Sequence, residues 1–396
     1  MTSSDSVDPL AELSAIDAEL DESERLVRTS VRRFVAERYL PRARELYARE
    51  EFPRDLVLEL GELGVLGASL SGYGCAGMSP VEYGLALEEL EYGDSGLRSF
   101  ASVQGSLAMF AIHAFGTELQ KQRYLPEMAR GKLVGCFGLT EPDSGSDPGS
   151  LTTRARRDGT DFVLDGNKMW ITNAPFADLA IVWAKVDDGG PESVRGFIVE
   201  RDRTGFQTQL IHGKMSLRSS ETGAITLEGC RVPGDRVLEH KPGLGAPLRC
   251  LNEARLGISW GVVGAAKACF DAALGYTRER VQFGVPIAQK QLVQAELVDM
   301  ASELVKAELL SLHYSRRKQR FGKLTPAQVS LCKRNNVQMA LEVARRARSL
   351  LGANGILLDY PVIRHMLNLE SVYTYEGTHE VHTLVLGRAL TGHDGF

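Results

Sequence analysis

The feature that most constrains this chain is a change of hydrophobic period that happens twice. Up to about Leu133 apolar residues recur at three- and four-residue steps, as at Leu26, Val27, Val31, Phe34 and Val35, the spacing that lines one face of a helix. At about Val134 the repeat drops to two, and short apolar runs follow at 162–164, 168–172, 179–186, 196–199, 206–211 and 224–227. Turn signals separate them at Asp158-Gly159, Asp165-Gly166-Asn167, 187–190 and Glu228-Gly229. From about residue 245 the helical spacing returns in long segments, 248–277, 287–321 and 326–351, with a shorter pair around residue 376. Strands this closely spaced leave no room for crossover helices, so they imply an antiparallel barrel or sandwich of about 100 residues. The order predicts an α+β chain in three domains: helical at 1–133, with 1–20 a flexible arm; β at 134–243; helical at 244–396.

Within the first third, Pro41 is expected to bend or end the first helix, and a second covers 53–63. Ser79-Pro80-Val81-Glu82 is a capping box with proline at the first helical position, opening a helix to about Tyr92. Further helices are expected at 95–115 and 118–129. Gly72-Tyr73-Gly74-Cys75-Ala76-Gly77 matches GxGxxG, but helical patterns flank it on both sides, so it reads as a glycine-rich loop and not as a dinucleotide fingerprint.

The totals exclude several function classes. A chain of 396 residues, 43% hydrophobic, can bury a sizeable core, and its 46 basic against 51 acidic residues give a net charge of -5, with no basic field for nucleic acid. No apolar run reaches the roughly 20 residues of a membrane span. The acidic N-terminal stretch lacks the features of a secretory or transit peptide. Six cysteines without a CxxC pair fit a reducing cytoplasm and indicate neither a disulfide framework nor a zinc site.

Three segments can carry chemistry. Glu376 stands between Tyr375 and Gly377 on a link between two helical runs; a carboxylate projecting from such a link into an apolar cleft becomes basic enough to take a proton beside a carbonyl. A glutamate before glycine is, taken alone, more often a solvated helix-end residue. The run GCFGLTEPDSGSD at 135–147 gathers hydroxyls, glycines and backbone amides suited to a planar heteroaromatic ring or a phosphate. Lys168-Met169-Trp170-Ile171-Thr172-Asn173 sets an aromatic wall beside a hydroxyl. His379 and His382 share a helix face, yet no third ligand stands nearby and no metal is assigned.

These two runs, the helix entry Arg280-Val281-Gln282-Phe283-Gly284-Val285-Pro286 and the run TYEGTHEVH at 374–382 together resemble the acyl-CoA dehydrogenase family, and within it the glutaryl-CoA branch. The resemblance runs from about residue 20 to the C-terminus. It implies a C-terminal four-helix bundle domain, a homotetramer arranged as a dimer of dimers, and FAD between the β domain and the C-terminal helices. It makes Glu376 the base that takes the α-proton of an acyl-CoA while the flavin takes the β-hydrogen, with electrons passing to an electron-transfer flavoprotein. Phe137, Leu139, Thr140, Gly145 and Ser146 would line the flavin, with Trp170, Ile171 and Thr172 beside its ring. Arg280, Phe283 and Gln291 would reach its pyrophosphate and adenosine from a neighbouring subunit, as would Leu350, Leu351, Gly352 and Thr378.

Arg98 and Ser99 match the pair that receives the distal carboxylate of glutaryl-CoA, and Glu91 and Tyr375 the polar residues that accompany decarboxylating members; Ser146 and Gly377 join them on the substrate side. Leu251, Asn252 and Arg255 fall in a segment expected against the CoA moiety. The implied reaction is oxidative decarboxylation to crotonyl-CoA, a step of lysine and tryptophan degradation. Leu97 and Phe100 depart from the family pattern, and Phe100 is expected to narrow the acyl pocket. That keeps two alternatives open: oxidation of another short dicarboxylyl or branched thioester without decarboxylation, and a catalytically silent flavin- or acyl-CoA-binding paralogue.

Overall fold

A computed structural model describes residues 9–187 and 189–395. The first third is helical, with α1 (Pro9–Ser14), α2 (Glu22–Phe34), α3 (Leu40–Arg49), α4 (Val57–Glu62), α5 (Pro80–Gly93), α6 (Ser95–Ser102), α7 (Phe110–Phe115) and α8 (Glu118–Ala129). The flexible arm expected at 1–20 is corrected for its described part. Residues 9–20 contain α1 and a 3-10 turn at Ile16–Glu19, with Leu10 buried in the core of the C-terminal helices and Ile16 and Leu20 in a smaller cluster around Trp260. Residues 1–8 of that arm lie outside the described residues. Pro41 does not stop its helix: a π-turn at Val35–Tyr39 carries the chain into α3, where the proline's missing N–H falls in the first turn. The capping box at Ser79 and Glu82 forms, and the glycine-rich loop is a loop between α4 and α5, with Gly72, Gly74 and Gly77 at positive φ.

The middle third is a seven-stranded sheet of β1 (Gly135–Gly138), β2 (Arg154–Asp158), β3 (Asp161–Thr172), β4 (Leu179–Val186), β5 (Val194–Glu200), β6 (Phe206–Leu210) and β7 (Thr222–Val232). Most ladders are antiparallel, but β1 and β2 both pair parallel to β4, so the antiparallel barrel or sandwich expected is a mixed sheet with an open path from β5 to β6. The turn expected at Asp165-Gly166 is instead a bulge. Strand β3 continues through it, and Asp165 accepts the amide of Gly229 at 2.7 Å, so two turn-like dipeptides face each other within one ladder.

The last third holds α9 (Gly245–Glu279), the hairpin β8 (Val281–Gln282) and β9 (Val285–Pro286), then α10 (Gln291–Phe321), α11 (Pro326–Leu350), α12 (Val362–Thr374) and α13 (His379–Thr391). Among the described residues these are five helices. Four of them, α9 to α12, share one apolar core, and α13 packs on α11. Helix α9 also runs close along α5. A Cβ on Gly264 would stand 1.9 Å from the Glu88 carbonyl, and one on Gly261 would stand 2.1 Å from the Glu91 carboxylate, so only glycine permits this approach.

One buried aspartate fixes how the thirds meet. Asp94, at the corner between α5 and α6, pairs with Arg364 of α12 and accepts from Asn368 of the same helix at 3.2 Å. Its other oxygen accepts from Ser219 of the middle third at 2.7 Å and from the Gly96 amide at 2.6 Å. The corner that launches α6 and the helix that ends before Glu376 are thereby held in register.

Candidate active site

Helix α12 ends at Thr374, and the chain reverses before α13 through two successive left-handed residues, Glu376 at φ +50° and Gly377 at φ +93°. A side chain at Gly377 would press within 2.9 Å of the His382 ring, which excludes any Cβ there. Glu376 has no such freedom and holds its conformation at a cost of roughly 1–2 kcal/mol, offset by contacts to its backbone. Arg255 of α9 donates to the Glu376 carbonyl at 2.7 Å and to Asn252 at 3.0 Å. Lys333 of α11 donates to the carbonyls of Tyr375 and Gly377 at 2.5 and 2.6 Å.

The carboxylate points inward. Glu376 Oε2 is sealed from solvent and has no hydrogen-bond partner, and Glu376 makes no ion pair among the described residues. Desolvation raises its pKa, while the charges of Arg98, Lys333 and Arg255 pull it back. A group held this way is ionisable yet unusually basic, the combination a general base requires.

Arg98 is 1% exposed and Glu91 fully buried. They pair at 2.7 Å, and Arg98 also donates to the Tyr375 hydroxyl. Ser99 is buried with its hydroxyl unpartnered, as is the second oxygen of Glu91. Burial pushes the Tyr375 phenol up to about 12, so it stays protonated. Glu376, Arg98, Ser99, Glu91, Tyr375, Gly377, Arg255 and Asn252 are thus brought together, with Leu251 one turn below Arg255 on α9 and half-buried. His382 is buried beneath them. Its Nδ1 pairs with Ser330 at 2.9 Å, and burial together with Lys333 and Arg255 pushes its pKa down to about 3, so it adds no charge. His379 stacks flat on Tyr373 at 4.5 Å, and no group of three metal-ligating side chains occurs among the described residues.

Phe100 does not narrow this pocket. Its position on α6 is about 200° round from Arg98, and its ring stacks on Phe52 at 4.6 Å inside the core, where Leu97 is also buried.

A second group forms where β3 meets the segment after β1. The register slips by one residue between Lys168 and Ile171, and the resulting bulge turns Lys168 into the core and throws Trp170 outward at φ +62°, 58% exposed. Lys168 bonds to Leu139 O at 3.2 Å and Glu141 at 2.8 Å, while Met169 N donates to Thr140 O at 3.0 Å. Glu141 takes further bonds from Thr152 and Thr153 and shapes the loop. Gly145 and Ser146 stand exposed at its rim, and nothing lies within 4 Å of where a Cβ on Gly145 would be. Phe137 and Leu139 are buried in the core beneath, and Thr172 is half-buried. Ile171 points into the core, so its side chain does not face a ligand and any contact there is through its backbone. An upright aromatic beside free amides and hydroxyls suits a flat heteroaromatic ring.

Of the remaining predicted residues, Thr378 follows Gly377 on the same turn, and the others make no hydrogen bond or ion pair to the Glu376 group. Arg280 and Gln291 are exposed at the ends of the hairpin segment, and Phe283 at its tip is 93% exposed at φ +55°. Gly352 is exposed, Leu350 half-buried and Leu351 buried in the core. Thr378 accepts the Val381 amide at 3.2 Å as the cap of α13. The sequence reading missed Lys333 and Asp94, and it gave no structural role to Glu141, Lys168 or His382 although they fall in or beside the motifs it singled out. For Lys333 a signal existed: it lies in the stripe Val329, Lys333, Asn336, Val337, Ala340, and a lysine on an apolar stripe needs a buried partner.

The N-terminal, middle and C-terminal domains of acyl-CoA dehydrogenase match residues 21–132, 136–230 and 241–391. A probable acyl-CoA dehydrogenase of Bacillus subtilis is 35% identical over 378 residues, covering 94% of this chain and 99% of that protein. The glutaryl-CoA dehydrogenase of Mycobacterium smegmatis superposes with a TM-score of 0.95 at 55% identity, covering 98% and 99% of the two chains. A second glutaryl-CoA dehydrogenase structure from Mycobacterium smegmatis, in complex with FADH2, matches with a TM-score of 0.95 at 50% identity over the same shares.

Proposed function

The chain belongs to the acyl-CoA dehydrogenase family, and within it we propose that the substrate is glutaryl-CoA, oxidised with loss of its terminal carboxylate. It is an FAD-dependent enzyme. The fit of the cofactor is supported by the outward Trp170 and the open rim at Gly145 and Ser146. Phe137, Leu139, Thr140, Trp170, Thr172 and the Ile171 backbone would hold it. When bound, FAD supplies an acceptor for the β-hydrogen as hydride.

Glu376 takes the α-proton, and its sealed, unpartnered Oε2 is the atom that receives it. Arg98 receives the distal carboxylate, with Ser99 and Tyr375 offering hydroxyls beside it. After oxidation that carboxylate is γ to an unsaturated thioester. It leaves as carbon dioxide, its bonding electrons pass into the thioester, and protonation of the carbon skeleton gives crotonyl-CoA. The proton held on Glu376 is the one within reach. Gly377, Leu251, Asn252 and Arg255 lie on the thioester and CoA side, with Ser146 at the rim.

The observation that carries this reading is the placing of Arg98, Glu91 and Tyr375 in the same buried cluster as Glu376. A purely alkyl tail would find no use for a guanidinium there. The motive for a different thioester, Phe100 in the pocket, is removed by its stacking in the core. A silent paralogue would have no need to hold a desolvated carboxylate without a partner.

We further infer a homotetramer arranged as a dimer of dimers. Phe283 at the hairpin tip, with Arg280 and Gln291, would meet a neighbouring subunit's cofactor, as would Leu350, Leu351, Gly352 and Thr378. Electrons would leave to an electron-transfer flavoprotein, and the reaction belongs in lysine and tryptophan breakdown. No helix among the described residues is long and apolar enough to cross a membrane. Six free cysteines support a reducing cytoplasm.

The test is to mix protein, glutaryl-CoA and an artificial electron acceptor and weigh the products. Crotonyl-CoA with one equivalent of carbon dioxide is expected, and none from Glu376→Gln. Glutaconyl-CoA accumulating without carbon dioxide would refute decarboxylation, and full turnover by Glu376→Gln would refute the base.

A further inference from the structure

We propose that Lys333 is a positioning residue for the base, its ammonium gripping the turn that carries Glu376 and supplying the positive charge the carboxylate faces. This rests on Glu376 acting as the base.

The turn has left one helix and not yet entered the next, so the carbonyls of residues 375, 376 and 377 have no helical donors and must find others. All three are met by cationic side chains from other helices. Lys333 takes the first and third, and Arg255 the middle one. Both bonds of Lys333 therefore straddle the base and hold its left-handed backbone. The lysine is 1% exposed and makes no ion pair among the described residues. Burying an ammonium without an adjacent carboxylate costs several kcal/mol. A methionine would fill the same space on the apolar stripe of α11 without that cost.

The charged and titratable groups that face it come from four directions. Arg98 comes from α6, Arg255 from α9, His379 and His382 from α13, and Glu376 and Tyr375 from the turn itself, the Tyr375 ring 5.7 Å from the ammonium. Burial pushes the Lys333 pKa down to about 7, the Glu376 charge opposes that, and Arg255 and Arg98 add to it. The lysine and the glutamate thus answer to each other's charge, and no ion pair joins them directly.

Removing the cation releases two carbonyls and withdraws a charge that favours the ionised base. The expected results are a slower reaction and an acid limb at higher pH. The experiment follows deuterium entering the α-carbon of acetyl-CoA in heavy water, using the full-length, FAD-loaded enzyme, by mass spectrometry across pH. Acetyl-CoA has no β-hydrogen, so exchange reports the base without hydride transfer. Lys333→Met is expected to slow the plateau at least tenfold and raise the limb by about one pH unit. Lys333→Gln, which keeps amide donors without charge, recovers part of the plateau while its limb stays high. A limb that moves in neither variant overturns the proposal, and Lys333→Gln decides alone where Lys333→Met does not fold. Absence of exchange in the wild type, or wild-type exchange in Glu376→Gln, overturns the base assignment itself.

Discussion

Replacing Arg98 by glutamine separates two duties that converge on one guanidinium. The first is recognition. A charge-assisted hydrogen bond to a buried carboxylate contributes about 1.5–3 kcal/mol, so its loss lowers kcat/KM for glutaryl-CoA by roughly tenfold to 150-fold. Butyryl-CoA has no distal carboxylate and loses nothing by this route. The second duty is electrostatic. Arg98 is foremost among the charges opposing the desolvation of Glu376, so its removal raises the base's pKa and moves the acid limb upward for both substrates. The two are distinguished by comparing substrates on the alkaline plateau, where Glu376 is ionised in wild type and variant alike. Stability complicates the single variant, because Glu91 is left buried without its 2.7 Å partner, a loss of about 3–5 kcal/mol. The variant Arg98→Gln/Glu91→Gln replaces the ion pair by two neutral amides and avoids that penalty. In it, the plateau ratio of glutaryl-CoA to butyryl-CoA kcat/KM should fall at least tenfold. A ratio within twofold of wild type would refute the assignment of Arg98 to the tail.

Gly261→Ala puts a methyl 2.1 Å from the Glu91 carboxylate and 3.2 Å from the Arg98 stem, so α9 must move off α5. Overpacking of this kind costs about 1–3 kcal/mol, and a Tm several degrees below wild type is expected by calorimetry. Glu141 is held down to about 2, since Lys168 and the Thr152 and Thr153 donors outweigh its burial. Its folded pKa is depressed, so its stabilisation is present above the ordinary carboxylate value near 4.5 and fades as pH falls toward 2. The Tm gap between wild type and Glu141→Gln, followed across pH, should be widest near neutrality and narrow below about 4.5.

What could be read from sequence was what is local. The α, β, α order follows from apolar spacing within single elements, and the capping box at Ser79 and Glu82 needs only four residues. Long-range pairings were invisible for the same reason. Asp165-Gly166 and Glu228-Gly229 have turn chemistry, and only their mutual pairing across 64 residues makes them bulges. The parallel ladders of β1 and β2 with β4 left no local mark. At the site, Glu376 and Trp170 stood out from their local setting and Arg98 through the resemblance alone, and all three have an ordinary reading in isolation. Phe100 was misread because sequence proximity to Arg98 was taken for spatial proximity, whereas two helical steps carry the ring into the core. Lys333 and Asp94 were missed because their partners lie 42 to 44 and 270 to 274 residues away.

The charges around the base explain why substrate choice and base strength are linked. The buried cluster carries Arg98, Arg255 and Lys333 against Glu91 and Glu376, while His382 is held neutral. The cations exceed the anions by one, and in a desolvated site that excess is costly. Lys333 carries the heaviest part of that cost, since it is buried, makes no ion pair among the described residues and commits its ammonium to two carbonyls of the turn. On the proposed substrate, the tail carboxylate at Arg98 supplies the missing negative charge and brings the cluster to three of each sign, whereas an alkyl tail would leave the excess in place. Recognition of the tail at one end of the substrate and the field around the base at the other are then linked through charge balance.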